Sequence, residues 1–363
     1  ALLLEVEFSD DCLSRALANA APVGRRQSRQ IAGREYVLDV AHNPAAVYKL
    51  LEFLSVTHCK GKTICIFSMM ADKDIQVCFN VHFDSVSLWL GSFGGEDSPC
   101  DVSRGVHAGK VGTPRLLDLF DKYGIVTTWN ITGHSIESFP KESKLVADAG
   151  HELGLHGYAH ENPLAMSKEQ EAAVLNKTYD LVMDLCGRAP KGYSAPWWEL
   201  SPNTIDLLLA KGIEYDHSLM ENDHSPYYLR RNDKWTKIDY AKPAESWMKP
   251  WLPGPLTGLL EIPCSWYLDD APPVMFVKKF PNSHGWVPPR DLGQMWTDQF
   301  DWVYRNMDYG IYNACLHPDA SGHPQMLMMV ERLIDHMRCH DGVRFMTLGD
   351  INREYRGKHA APA

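Results

Sequence analysis

The chain has 363 residues, a formal net charge of -10 and 45% apolar side chains, enough for two domains or one large domain with an appendage. With an acidic balance and no basic run, it is not a phosphate-backbone binder, because nucleic-acid affinity rests on clustered Lys and Arg. No stretch approaches the roughly 20 apolar residues that span a bilayer, and nine scattered cysteines without a CxxC pair read as the reduced thiols of a cytoplasmic protein.

The segment Ala1 to Leu4 runs at once into Glu5 and Glu7, unlike a secretory signal, and with no initiating Met the chain reads as starting inside a longer frame. Patterning changes abruptly near residue 76. Ahead of it, strand Tyr36–Val40, helix Pro44–Leu54 and strand Thr63–Phe67 predict a βαβ unit. Beyond it, strands Val77–Phe83, Val126–Asn130 and Glu152–His156 alternate with helices Pro114–Tyr123, Glu142–Ala149 and Ser167–Cys186, and a further strand Ile311–Leu316 follows. This α/β alternation implies a mainly parallel sheet, open or closed into a barrel, with chemistry at the C-terminal ends of its strands. The domains are read as 1–75 and 76–363.

The strand from Val77 ends in His82 and Asp84, whose i, i+2 spacing puts both on one face. His156 and His160 close another strand four residues apart. A helical turn there would point both imidazoles at one ion, and one carboxylate with two histidines leaves positions open for water and substrate. Such a pair alone marks a helix surface more often than a ligand set. The surrounding residues shift the balance.

Those residues are His82-Phe-Asp84-Ser-Val-Ser-Leu-Trp89, Gly94-Gly-Glu-Asp-Ser-Pro99, Gly133-His-Ser-Ile-Glu137 and His156-Gly-Tyr-Ala-His160-Glu-Asn-Pro163. Further along come Gly192-Tyr-Ser-Ala-Pro196-Trp-Trp-Glu199, Tyr215-Asp-His-Ser-Leu-Met220, Trp266-Tyr-Leu-Asp-Asp270 and Leu316-His-Pro-Asp319. In this order they resemble the polysaccharide deacetylases with a NodB-like domain, in the cytoplasmic peptidoglycan-deacetylase-like branch bordering on allantoinase-like and cyclic-imide hydrolases. The resemblance spans about Val77 to Arg356. It implies a distorted (β/α) barrel, a divalent ion with zinc as first choice, Asp84, His156 and His160 as its ligands, and His317 as the donor that protonates the leaving amine.

One departure concerns the base. The usual family motif is Thr-Phe-Asp-Asp-Gly, in which one Asp is the base and its neighbour binds metal, whereas here Asp84 is followed by Ser85. In the resembled branch an acidic residue can stand two positions earlier, where this chain has His82. An imidazole with an ordinary pKa near 6.5 can accept a proton at neutral pH, so His82 is a candidate base, with Glu199 and Asp319 as carboxylate alternatives. Trp89, Trp197, Trp198, Trp266 and Tyr267 lie beside the motifs and could stack on a sugar or flat heterocycle.

Residues 1–75 resemble part of the C-terminal domain of folylpolyglutamate or dihydrofolate synthase, through Gly24-Arg-Arg-Gln27, Leu38-Asp39-Val-Ala-His42-Asn-Pro44 and Met70-Ala-Asp-Lys-Asp74. No Gly-rich phosphate loop accompanies them, so the segment reads as an inactive fragment. The expected function is metal-dependent hydrolysis of a non-peptide amide on a glycan or small molecule, deacetylation first and cyclic amide or imide opening second. A folate-ligase relic and a catalytically dead binding module are the alternatives of other classes. Homo-oligomerisation stays open, and neither a membrane nor a nucleic acid is expected as partner.

Overall fold

The computed structural model describes residues 73–278, 285 and 287–362, with the backbone of 27–31 and 34–38. The chain forms two compact units, residues 1–72 and 73–363. In the first, β1 (Gln27–Ile31) pairs antiparallel with β2 (Arg34–Leu38), as a two-residue connection requires. The expected strand at Tyr36 overlaps β2. The expected helix 44–54 and strand 63–67 lie outside the described residues.

The second unit is a curled, mostly parallel sheet with helices between its strands. Its strands are β3 (Asp74–Phe83), β4 (Thr128–Ile131), β5 (Glu152–Leu155), β6 (Gly192–Tyr193), β7 (Tyr215–Asp216), β8 (Tyr227–Arg230), β9 (Leu256–Glu261), β10 (Tyr309–Leu316) and β11 (Val343–Phe345). The order is β10-β3-β4-β5-β6-β7-β9-β8, with β11 on β3 and only β8 antiparallel. Instead of a strand pair, single residues bridge the gap between the two ends. Ile311 donates its N–H to the His224 carbonyl at 2.9 Å, and the His224 ring returns a bond of 2.9 Å to the Ile311 carbonyl. This seam makes the barrel irregular.

The helices are α1 (Pro99–His107), α2 (Thr113–Tyr123), α3 (Pro140–Asp148), α4 (Lys168–Cys186), α5 (Thr204–Lys211), α6 (Pro289–Asn306), α7 (Pro324–Arg338) and α8 (Leu348–Lys358), besides shorter turns. Local chemistry sets their ends. Ser167 with Gln170 and Thr347 with Asp350 form capping boxes, and Gly124, Gly187 and Gly212 end α2, α4 and α5 in the left-handed conformation. The expected strands and helices of this unit match the observed ones to within a few residues.

β3 organises the molecule. Ile75, Val77, Phe79, Val81 and Phe83 join the main apolar core with Leu116 and Phe120 of α2. The alternate residues Gln76, Asn80, His82 and Asp84 are also buried. A strand covered on both faces and carrying polar groups on one places them inside the barrel. Truncating Phe79 to Ala should cost about 3–5 kcal/mol. No described helix is long and apolar enough to cross a membrane.

Candidate active site

Four parallel strands deliver the polar cluster at their C-terminal ends, where such folds place reactive groups. β3 carries His82 near its end and is followed by Asp84, β5 is followed by His156, β6 by Ser194 and β10 by His317. The Asp84 carboxylate is fully buried. Around it stand His156 Nε2 at 3.4 Å from Oδ1, with His160 Nε2 at 3.7 Å and His317 Nε2 at 3.8 Å from Oδ2.

His156 and His160 do not converge through a helical turn, as the sequence suggested. The chain after β5 forms a loop in which Gly157 and His160 take left-handed φ values of 65° and 59°. At Gly157 a Cβ would also meet the Pro196 ring at 2.8 Å. Glu161 holds this loop, one carboxylate oxygen accepting the Tyr158 N–H at 2.9 Å and the other the Ala159 N–H at 2.5 Å. The Ser194 carbonyl accepts the His156 Nδ1–H at 2.6 Å, and Ser92 Oγ pairs with His160 Nδ1. Each Nδ1 is thus engaged, and each Nε2 lone pair faces Asp84.

Among the described residues, both Asp84 carboxylate oxygens and His156 Nε2 are buried without a hydrogen-bond partner. Leaving such groups unpaired is costly. Burial pushes the Asp84 carboxyl up to about 8 and His156 down to about 3. A cation between them would satisfy all three atoms, and ligating histidines usually engage their other nitrogen as these do. The donor set therefore fits a divalent ion.

His317 is buried, and burial alone would depress it, but Asp269, Asp270 and Asp84 together outweigh that and push it up to about 10. Asp270 takes the His317 Nδ1–H at 2.8 Å, the His317 backbone N–H at 3.0 and 3.1 Å, and the Ser321 hydroxyl. His82 lies between His156 and His317, with ring centroids 4.2 and 5.1 Å away. Burial, then the neighbouring His156, His317, His217 and His160, hold it well below 6.5. Its Nε2 is 3.0 Å from Asn80 Nδ2 and 3.3 Å from Ser194 Oγ.

The His82, His156, His160 and His317 rings line a cavity of about 380 Å³ walled by Trp197, Trp198 and Trp266. Trp197 and Trp198 have φ values of 63° and 53°, strain of order 1–3 kcal/mol each that aims two indoles at the cleft. Of the expected residues, Asp84 lies just behind the lining, and Trp89, Tyr267, Glu199 and Asp319 stay outside it. Trp89 is fully buried and donates to Asp319 Oδ1 at 3.0 Å, Tyr267 is 74% exposed and not part of the cavity lining, and Glu199 is exposed on the surface. Asp319 is pushed up to about 7 by burial and does not line the cavity. The roles of Asp269, Asp270, Ser194 and Glu161 were not legible in the sequence although all four stand in quoted motifs, nor was that of Ser92; Ser194 and Ser92 engage the His156 and His160 Nδ1 atoms, and Glu161 ties the loop between those two histidines.

Comparison with known proteins places this geometry. The family model for polysaccharide deacetylase matches residues 101–215, and that for Mur ligase, glutamate ligase domain, matches residues 24–88. The chain is 56% identical over 283 residues to the peptidoglycan deacetylase of Helicobacter pylori, covering 78% of this chain and 97% of that one. Among solved structures, a Mycobacterium smegmatis protein assigned to the polysaccharide deacetylases superposes with a TM-score of 0.69 at 26% identity, over 83% of this chain and 96% of that one. The Puue allantoinase shares the fold, with a TM-score of 0.64 at 21% identity over 80% of this chain and 93% of that one. The chain belongs to the polysaccharide deacetylase family.

Proposed function

We propose that the chain is a metal-dependent hydrolase of a non-peptide carbon–nitrogen bond, removing the acetyl group from an N-acetylated sugar of peptidoglycan type. The observation that carries the reading is the buried, unpartnered trio of Asp84 Oδ1, Asp84 Oδ2 and His156 Nε2, set behind the His156, His160 and His317 rings that line the cavity. Asp84, His156 and His160 would hold the ion, zinc by preference for nitrogen and oxygen donors. Bound there, a divalent ion polarises an acyl carbonyl and acidifies water. His317, kept protonated by Asp270 and Asp269, donates to the departing amine. His82 is the proposed base, and Trp197, Trp198 and Trp266 enclose the substrate.

A second reading, the opening of a cyclic amide or imide, is favoured by the cavity wall. Apart from the indoles, among them the unpartnered Trp198 N–H, its polar lining residues are His82, Ser92, His156, His160, Asp269 and His317, all used by the chemistry or held against it, Asp269 by its ion pair with His317. That leaves aromatic faces for the rest of a ligand, which suits a flat ring. The scattered thiols support a cytoplasmic setting and a soluble glycan fragment over an intact wall. We also infer that residues 1–75 are a ligase fragment without activity, so a chain beginning at Met70 should keep turnover within a few fold.

The test combines metal analysis with an assay panel of acetylated amino sugars, allantoin and succinimide-like rings. His156→Ala should bind one ion fewer per chain than the parent and lose activity with it. Full metal retention in that variant would sink the ligand assignment, and exclusive turnover of the cyclic substrates would select the second reading.

A further inference from the structure

Outside the catalytic cavity, a second set of metal-type side chains converges where α6 meets the end of α7. Asp301 lies on α6, His336 in the last turn of α7, and His340 one turn on. His336 Nε2 is 2.7 Å from Asp301 Oδ1. The His340 N–H bonds the Met337 carbonyl at 3.1 Å, continuing the turn, so the two imidazoles stay on one side with ring centroids 4.8 Å apart. One ligand atom from each of the three residues lies within 4.8 Å of the others.

We propose that Asp301, His336 and His340 form a second site, for a divalent transition-metal ion, which clips α6 to α7. Two imidazoles and one carboxylate suit zinc, nickel or copper over magnesium or calcium. His340 Nδ1–H donates to the His336 carbonyl at 2.9 Å, which leaves Nε2 as its lone-pair nitrogen. Asp301 Oδ2 is fixed by Arg305 at 3.0 Å, so Oδ1 is the oxygen offered to an ion.

The rings are already confined. Phe300 meets His336 and His340 edge-on at 5.7 and 5.2 Å, and Tyr304 packs on His340 at 4.6 Å. Tyr304 is itself anchored, its hydroxyl donating to the Asp341 carbonyl at 3.1 Å. Walled rings have little rotamer freedom left to lose on binding. Ligands about 2.0–2.1 Å from a zinc ion stand roughly 3.3 Å apart, so the Asp301–His336 pair would open slightly and His340 would close. Both are small adjustments for half-exposed side chains. None of the three lines the catalytic cavity, so the two sites can be emptied independently.

The experiment titrates zinc into the chelator-stripped full chain and counts bound ions by equilibrium dialysis. The double variant His336→Ala/His340→Ala should bind one ion fewer per chain than the parent, with turnover unchanged. His156→Ala should still bind one, and should lose it when the double substitution is added. Equal stoichiometry in parent and double variant overturns the proposal and leaves Asp301 and His336 as an ion pair only. Because the readout is a difference, it stands whether or not the catalytic cavity holds an ion. Should the double variant fail to fold, His340→Gln alone should weaken that ion's binding by at least about tenfold, and undiminished affinity overturns the proposal equally.

Discussion

The Nδ1 of His317 lies 2.8 Å from Oδ1 of Asp270, and the same carboxylate accepts the His317 backbone N–H. One acid thus fixes both the ring and the strand end that carries it. Asp270→Asn should remove one of the three carboxylate charges that together offset burial, along with its hydrogen bond, so His317 falls from its raised value near 10. Protonated His317 would then be lost at a lower pH as pH rises, and the basic limb of turnover should move down. We expect roughly a 10²- to 10⁴-fold fall in kcat at pH 8 with metal content retained. An unmoved basic limb would assign the proton donor elsewhere.

Glu161 carries the loop that presents His160, through the amides of Tyr158 and Ala159. Glu161→Ala leaves both N–H groups without their acceptor and frees the left-handed turn. Metal affinity should drop about 10- to 100-fold, as for other supporting groups, while thermal stability changes far less. Competition with a fluorescent chelator measures this, and unchanged affinity would show that the loop holds its shape without the carboxylate.

Positions inside and outside the cavity should separate kinetically. Trp198→Ala and Trp266→Ala remove wall surface and should raise KM more than they lower kcat. Tyr267→Ala and Glu199→Gln should leave both constants within about threefold, because neither side chain lines the cavity. Exposed substitutions away from special features generally have small effects. A large kcat loss in Glu199→Gln would return it to the list of candidate bases.

The period of two in β3 and the repeated strand-then-helix pattern made the barrel legible, because helices on one face and a polar interior on the other leave opposite marks on alternate residues. His82, Asp84, His156 and His317 at strand ends and His160 in the loop after β5 were legible as a set through the motifs that carry them. What held His156 and His160 together was not. Left-handed φ at a histidine has no sequence signature, and the expected helical turn gave way to a loop tied by Glu161. Trp89 shows the converse error: proximity in sequence to Asp84 suggested a ligand-facing indole, but a π-helical turn at Leu88–Ser92 carries it into the core against Asp319. The seam at His224 was equally silent, since it joins a loop residue to β10 across 87 residues without a strand pair.

His151 supplies a test of stability against pH. It is buried beside Phe120 and Trp129, accepts the Thr127 N–H at 3.1 Å and is pushed down by burial to about 4. Its folded value lies below the unfolded value near 6.5, so the unfolded chain binds the proton first. Stability from this group is therefore present above pH 6.5 and is lost as pH falls towards 4, by up to about 3 kcal/mol. Urea denaturation of wild type and His151→Leu between pH 7.5 and 4.5 should show the wild type losing more. Parallel pH dependences would mean that His151 titrates normally in the fold.

The last prediction concerns His82 and Asn80. Asn130 Nδ2 donates to Asn80 Oδ1 at 2.6 Å, which leaves the Asn80 amide N–H to bond His82 Nε2 at 3.0 Å and puts the ring hydrogen on Nδ1. Reversing both amides keeps both bonds, but Nε2–H then donates to Asn80 and Nδ1 becomes a free acceptor. Only that arrangement supplies a base. Since burial and four neighbouring imidazoles hold His82 well below 6.5, it stays neutral through the physiological range, and its protonation would stop turnover only on the acid side. The acidic limb of kcat/KM should therefore lie well below pH 6.5. His82→Gln should abolish that limb and cost roughly 10²- to 10⁴-fold in kcat while sparing metal. Asn80→Asp, whose carboxylate can only accept, should lock the second arrangement, raise the His82 pKa and move the limb upward. An acidic limb that survives unchanged in His82→Gln would take the base role from this residue. With Glu199 on the surface and Asp319 bonded to Trp89 away from the cavity, that outcome would leave the attacking water activated without a side-chain base.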